Sequence, residues 1–400
     1  MKYRKGLNIV KLNLLSNKSL KKDLAEKNKT QIFRETYYPH TVSPQWNDWK
    51  WQLAHRITTK EELMKVFNLS ERELSAFSTE RKCFPLSITP YYASLIDNDD
   101  VNHPIRRAVI PVVDEHLVSA VEMQDPLSEA SFSPVPGIVH RYPDRVLFLT
   151  TNFCSVYCRY CTRSRMVGNH EHYNTHEQWE KAIEYIKSNK NVRDVLLSGG
   201  DPLTMETDQL EWLLSRLSKI EHVEFIRIGT KVPVVLPQRI NSELVNMLKK
   251  YHPLWVSIHF THPDELTEET RKACAMLADV GIPLGSQTVL LKGINDNVKT
   301  MTKLCHELLK ARVKPYYLYQ CDLVQGSTHF RTSVQAGIDI IDGMRGYTTG
   351  YAVPNYVIDA PNGGGKIRIL PESIVGKSGG KLLLKNYQGE IYTYPDAAEE

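Results

Sequence analysis

The 400-residue chain has no run of about 18 apolar residues, which excludes a membrane-spanning helix. Its basic N-terminus lacks the apolar core of about 7–15 residues that marks a secretory leader. Neither sign of charge dominates: 50 Lys and Arg face 46 Asp and Glu, and a net charge of +4 is too small to argue by itself for nucleic acid. Cysteine is sparse, and an odd total of seven fits no secreted disulfide framework. With 42% apolar and 24% charged residues the composition is globular, which excludes disordered, collagen-like and coiled-coil chains. The expectation is a cytoplasmic, enzyme-sized protein with neither a membrane nor a nucleic-acid partner.

Four segments follow from the text of the chain. Residues 1–45 read as a solvated basic arm, with nine basic and two acidic residues in the first 30; a partner-binding tail is the alternative. Residues 46–139 read as a helical region and a Pro-punctuated connector, with capping-box starts at Thr59 or Lys60 and at Ser70. From residue 140 to 350, short β-branched runs alternate with amphipathic helices. The strands are RVLFLTT (145–151), RDVLLSG (193–199), VEFIRIG (223–229), LWVSIHF (254–260), PLGSQTVLL (283–291) and PYYLYQ (315–320). Six strand–helix repeats predict an α/β fold, an open (β/α)6 partial barrel, with a doubly wound sheet as the alternative. Residues 351–400, with NYVID, a glycine turn and alternating runs, predict a small β-rich cap.

Ligands of parallel α/β folds gather at the C-terminal strand ends, so the polar residues there come first. The first strand runs into Cys154-Ser-Val-Tyr-Cys158-Arg-Tyr-Cys161. Three thiols in one loop suit a soft metal centre, and structural zinc lacks a fourth ligand at the usual spacing. A [4Fe–4S] cluster on three cysteines keeps one iron open to a small molecule. The second strand ends in Ser198-Gly199-Gly200-Asp201, where backbone can approach a ligand closely, although a tight strand–helix turn reads the same way. Gly363-Gly364-Gly365-Lys366 is no phosphate loop. It suits either a Schiff-base lysine that must swing or a flexible turn with a surface lysine. Asp322 and Asp359 follow strand ends and could grip a cation, and Arg141 and Arg145 around Tyr142 could hold a phosphate beside a stacked ring.

Together the CxxxCxxC loop, SGGD, YQCDL and VIDAPNGGGK resemble the lysine 2,3-aminomutase family of radical S-adenosylmethionine enzymes. The likeness runs from about Trp46 to the C-terminus and includes PQWNDWKWQL, ITPYYASLID, SPVPGIVHRYPDR, PVVLPQRI and RGYTTGYAVP. It implies that Cys154, Cys158 and Cys161 hold a [4Fe–4S] cluster whose open iron takes S-adenosylmethionine. It further implies that Lys366 carries pyridoxal 5′-phosphate, with Arg141, Tyr142, Arg145 and Gln287 around its ring and phosphate. Ser198, Gly199, Gly200 and His259 would contact S-adenosylmethionine. Arg163 would pair with the amino-acid carboxylate, and Asp322 and Asp359 with a side-chain ammonium. The implied reaction is a 1,2-amino shift started by a 5′-deoxyadenosyl radical, converting L-lysine to β-lysine. A flavodoxin- or ferredoxin-like electron donor and a homo-oligomer are implied as well.

Two departures from the family pattern stand out. The Cys-rich zinc-binding tail of some members has no counterpart after Pro395, and Asn297 occupies the GINDN loop, so zinc is not expected. Asn362 replaces the first glycine of the usual four and should stiffen the turn a little. Arginine remains a second candidate substrate, because two carboxylates grip a guanidinium well. Glutamate is disfavoured, since its side-chain carboxylate would face two like charges. A non-catalytic Fe–S regulator would have no need of Lys366.

Overall fold

The computed structural model describes residues 28–78, 84–168, 175–379 and 381–395. Most of the basic arm, Cys83 and the last five residues lie outside them. Strands β1 (Ile138–Tyr142), β2 (Arg145–Thr151), β3 (Asp194–Gly199), β4 (Phe225–Thr230), β5 (Leu254–His259), β6 (Leu284–Leu290), β7 (Lys314–Gln320), β8 (Asn355–Ala360) and β9 (Gly365–Arg368) form one sheet in sequence order. Strands β2 to β8 run parallel, while β1 and β9 pair antiparallel at the two edges.

The six predicted strands are all present, but the count of six is too low and the boundary of the cap is misplaced. NYVID becomes a seventh parallel strand, pairing Tyr317 with Asn355 and Tyr319 with Val357, and the lysine run becomes β9. The physical reason is the crossover helix Val334–Met344, which buries Ile340, Ile341 and Met344 and returns the chain parallel to β7. The β-rich cap is therefore limited to a separate antiparallel sheet of β10 (Ile374–Ser378), β11 (Lys381–Lys385) and β12 (Ile391–Pro395).

Helices cover the outside of the main sheet with leucine-rich stripes. Thr207–Leu217 buries Leu210, Leu213, Leu214 and Leu217, the i, i+3, i+4, i+7 spacing of one helical face. Each such side chain contributes about 1.5–3 kcal/mol of burial. Cys274 and Cys305 belong to equivalent stripes of Glu268–Asp279 and Val298–Lys310. The strands alternate: Ile226, Ile228 and Thr230 of β4 are buried, whereas Phe225, Arg227 and Gly229 border an interior cavity.

The sheet curls until its edges touch. Tyr142 Oη of β1 accepts the Lys366 backbone N–H of β9 at 2.8 Å, and Arg141 Nε donates to the Gly363 carbonyl. The N-terminal helices clamp the cysteine loop from one side. Thr59 and Ser70 cap two of them in capping boxes, as the spacing predicts. The Ser87 carbonyl accepts the Tyr157 N–H at 3.0 Å, the Ala108 carbonyl accepts that of Arg159 at 2.9 Å, and Ser87 Oγ donates to the Ser155 carbonyl at 3.0 Å. No helix among the described residues is long and apolar enough to cross a membrane.

Candidate active site

The curled sheet encloses a cavity of about 590 Å³ that runs from the first residues of the strands to the loops beyond their C-terminal ends. Arg145, Asp194 and Phe225 border it at one end, and Ser198, His259, Gln287, Asp322 and Asp359 at the other. Arg141, Tyr142, Arg163 and Lys366 complete the wall. The ten residues expected to bind cofactors or substrate outside the cluster cysteines and the Gly199-Gly200 turn, namely Arg141, Tyr142, Arg145, Arg163, Ser198, His259, Gln287, Asp322, Asp359 and Lys366, all share this one space.

Cys154, Cys158 and Cys161 are free thiols in the loop after β2. Burial pushes all three up, Cys161 to about 11, and each is raised further by the charge of a loop partner or a nearby carboxylate. Half-buried thiols of one loop that resist ionisation need a cation to become thiolates, and iron would supply it. Among the described residues no three His, Cys, Asp or Glu side chains converge on a single-ion site. A cluster makes no such demand, because it spreads its thiolates over separate irons. Three sulfurs in one loop therefore fit a [4Fe–4S] group.

The SGGD turn packs against that loop. A Cβ on Gly199, whose φ is +131°, would stand 2.1 Å from the Thr151 carbonyl oxygen, and one on Gly200 would stand 2.2 Å from that of Phe153. Backbone crowding alone demands glycine at both positions. They border a small recess next to Arg163 and Met166 rather than the main cavity, which Ser198 reaches. His259 lies beside Gln287 in the β5–β6 register. Burial, together with the charges of Lys231 and Arg163, pushes its imidazole down to about 4, so it is neutral at ordinary pH.

At the sheet edges, Lys366 Nζ lies 3.0 Å from Asp359 Oδ1, its cross-strand partner, and 5.2 Å from the centre of the Tyr319 ring. Arg145 stacks over Tyr142 at 4.0 Å and pairs with Asp144 at 3.0 Å. Asn362, with φ of 58°, adopts the left-handed conformation that asparagine tolerates, and its N–H donates to Pro126. The turn thus keeps its shape without the fourth glycine. An amine on an edge strand, beside an aromatic ring and two arginines, fits pyridoxal phosphate.

Asp322 is half-buried and accepts a hydrogen bond from Thr162 Oγ1. Desolvation pushes its carboxyl up to about 6, and the Asp359 charge adds to the rise. Arg163 points two nitrogens at Glu129: Nε stands 3.1 Å from both carboxylate oxygens, and Nη2 2.7 Å from Oε1. Arg165 and Asp125 extend this into a four-charge cluster.

Sequence reasoning missed Glu129, Thr162 and the Arg227–Asp194 pair, whose nitrogen and oxygen approach to 2.7 Å in the cavity wall. Thr162 follows the last cysteine directly, which is the only local signal any of them carried. Glu129 sits in the connector, 34 residues from Arg163.

Comparisons with known proteins agree with this architecture. A family signature described as "Radical SAM superfamily" matches residues 148–305, and one described as "Lysine-2,3-aminomutase" matches residues 341–400. The L-lysine 2,3-aminomutase of Clostridium subterminale is 52% identical over 351 residues, covering 88% of this chain and 84% of that protein. The enzyme of the same name from Bacillus subtilis is 50% identical over 88% of this chain and 74% of its own length. A glutamate 2,3-aminomutase of Clostridioides difficile is 44% identical over 88% of this chain and 83% of its own length. Sharing half its residues with such isomerases along nearly nine-tenths of its length, the chain belongs to the lysine 2,3-aminomutase family of radical S-adenosylmethionine enzymes.

Proposed function

We propose that the chain is an L-lysine 2,3-aminomutase that interconverts L-α-lysine and β-lysine. The observation that carries the substrate choice is the pair of carboxylates in one cavity, Asp322 raised by burial and by Asp359, with a fixed arginine nearby. Two carboxylates partly withdrawn from water are costly with fewer cations than charges, and Lys366 reaches only Asp359. A lysine side chain supplies that cation, whereas a glutamate side chain would add a third negative charge.

Family membership brings a [4Fe–4S] cluster, S-adenosylmethionine and pyridoxal 5′-phosphate. When bound, the first two supply a 5′-deoxyadenosyl radical, and the third supplies the imine chemistry through which nitrogen migrates. Cys154, Cys158 and Cys161 would ligate the cluster, and Lys366 would hold pyridoxal phosphate. Arg141, Tyr142, Arg145 and Gln287 would frame that ring and its phosphate. Ser198, Gly199, Gly200 and neutral His259 would orient S-adenosylmethionine. Arg163, with its Nε edge taken by Glu129, keeps Nη1 for the substrate carboxylate. Asp359 becomes available to a ligand ammonium once Lys366 Nζ is otherwise engaged, and Asp322 receives the same ammonium from the other side. The curled sheet excludes water from the reacting centre.

Reduction of the cluster needs an outside donor of the flavodoxin or ferredoxin class. Self-association is supported by the exposed Ile374, Ile391, Tyr392 and Tyr394 on the C-terminal sheet. Anaerobic assay of the reconstituted protein against lysine, arginine and glutamate tests the proposal. Turnover of lysine above the other two is expected, and a preference for arginine or glutamate would overturn the substrate assignment.

A further inference from the structure

A buried carboxylate of the connector has no place in the reading above. Glu122 is 7% exposed, and the groups that hold it are neutral. Thr328 Oγ1 donates to its Oε1 at 2.6 Å, and Ser327 Oγ stands 3.4 Å from the same oxygen. The backbone N–H groups of Ser119 and Gly326 each donate to Oε2 at 3.2 Å. All of these but Ser119 belong to the loop that leaves β7 through Asp322. Hydrogen bonds to an ionised acceptor are roughly twice as strong as neutral ones, so a carboxylate suits the task of holding that loop.

The next residue ties the same loop through its backbone. Met123 N–H donates to the Leu323 carbonyl at 2.8 Å, and the Met123 carbonyl accepts the Gln325 N–H at 3.1 Å. Ser327 Oγ reaches back to within 3.1 Å of the Asp322 carbonyl. Gly326 has a φ of +83°, and a Cβ there would stand 2.9 Å from the Glu115 carbonyl oxygen. The chain directly after Asp322 is therefore laid tightly against the connector. Further along that connector, the Pro126 carbonyl accepts the Asn362 N–H at 3.1 Å, and Glu129 holds Arg163.

We infer that Glu122 is a positioning residue of the substrate site, and that the connector from Glu122 to Glu129 acts as a spacer between Asp322 and Arg163. The inference rests on the reading in which Arg163 takes the substrate carboxylate and Asp322 the side-chain ammonium. Both grips then hang from one short segment, Glu129 fixing the first and Glu122 the second. An amino acid whose charged ends match that span is held at both without further ordering of the protein, which is where preorganisation gains affinity. Glu122 does not itself border the cavity.

The test compares variants of the reconstituted enzyme by hydrogen exchange and steady-state kinetics. Glu122→Met keeps the bulk of the side chain and removes both acceptor oxygens. Amides of the 323–328 loop should exchange about tenfold faster, and the KM for lysine should rise about tenfold with kcat little changed. Alanine, which has no ammonium for Asp322 to receive, should keep its kcat/KM. Glu122→Gln should restore most of the affinity, because its amide accepts from the two N–H groups and donates to the hydroxyls. Faster exchange with an unchanged lysine KM would overturn the inference, and so would an equal loss for alanine. Should Glu122→Met fail to fold, Thr328→Val at an exposed position decides: it should raise the lysine KM about threefold, and an unmoved KM rejects the spacer. Normal lysine turnover by Asp322→Asn would instead defeat the reading of the pocket, a separate failure.

Discussion

The inner strand ends and the sheet edges treat charge in opposite ways. Around the cysteine loop, Lys231 and Glu265 are 10% and 0% exposed, and both have several partners. At the edges, Lys366 is 35% exposed, Asp359 13% and Arg145 39%. Buried, multiply bonded groups hold one geometry because leaving any of them unpaired costs about 1–3 kcal/mol or more. Half-exposed pairs cost little to exchange, because water takes the place of a lost partner. The inner end is built to stay fixed around a cluster, and the edge is built to let one amine change what it is bonded to.

The largest effects should separate these two ends completely. Serine at Cys154, Cys158 or Cys161 should remove the brown colour, the cluster iron and all turnover. Lys366→Ala should also abolish turnover yet retain full iron, because Lys366 stands on β9 and the cysteines in the loop after β2. Borohydride reduction of the wild type with pyridoxal phosphate should label the GGGK peptide; label on the buried Lys231 or on Lys314 would contradict the contrast.

Next come the carboxylates. Hydrogen bonds to charged groups are worth ~1.5–3 kcal/mol, so Asp322→Asn or Asp359→Asn should lower kcat/KM for lysine by about 10–100-fold. Alanine, which has no side-chain ammonium, should be a poor substrate for the wild type and no worse for either variant. Normal lysine turnover by both would end the assignment of these groups to the substrate. Glu129→Gln should have a smaller effect, raising KM about tenfold while kcat changes little, because it loosens Arg163 without removing it. A loss confined to kcat would show that Arg163 acts on the reaction rather than on binding.

The inner strands were legible in the sequence because their β-branched runs repeat with helices between them. NYVID was legible as a strand, but its membership of the main sheet depends on Tyr317 pairing with Asn355, a contact that no local pattern records. Strand β1 was overlooked for a similar reason: it sits just before Pro143 and is held by Leu147 and Phe148 of β2. The cysteines, Lys366 and the two aspartates stand in compact motifs or at strand ends, where chemistry and position agree. Glu129 and Glu265 each lie 34 residues from the cation they hold, so their roles arise only when the chain folds. Asp359 was read as a substrate partner and is found on Lys366, a bond set by strand register rather than by motif.

The smallest expected effect concerns stability. Burial raises the Asp322 carboxyl from an ordinary 3.8 to about 6 in the folded protein. Between those values the folded state binds more protons than the unfolded one, so this residue's contribution to stability falls as pH rises from about 4 to 6. Above pH 6 the ionised carboxylate weighs against the fold until a cation joins it. Asp322→Asn removes that burden, so its Tm should exceed that of the wild type at pH 8 by about 1 °C for each ~1 kcal/mol relieved. The advantage should shrink toward pH 4, where the wild-type group is also neutral. Saturating lysine should raise the wild-type Tm at pH 8 and leave the variant nearly unmoved. Equal Tm values for the two proteins at both pH values would mean that Asp322 is solvated as freely as the edge groups, and the line between the two regions would have to be drawn elsewhere.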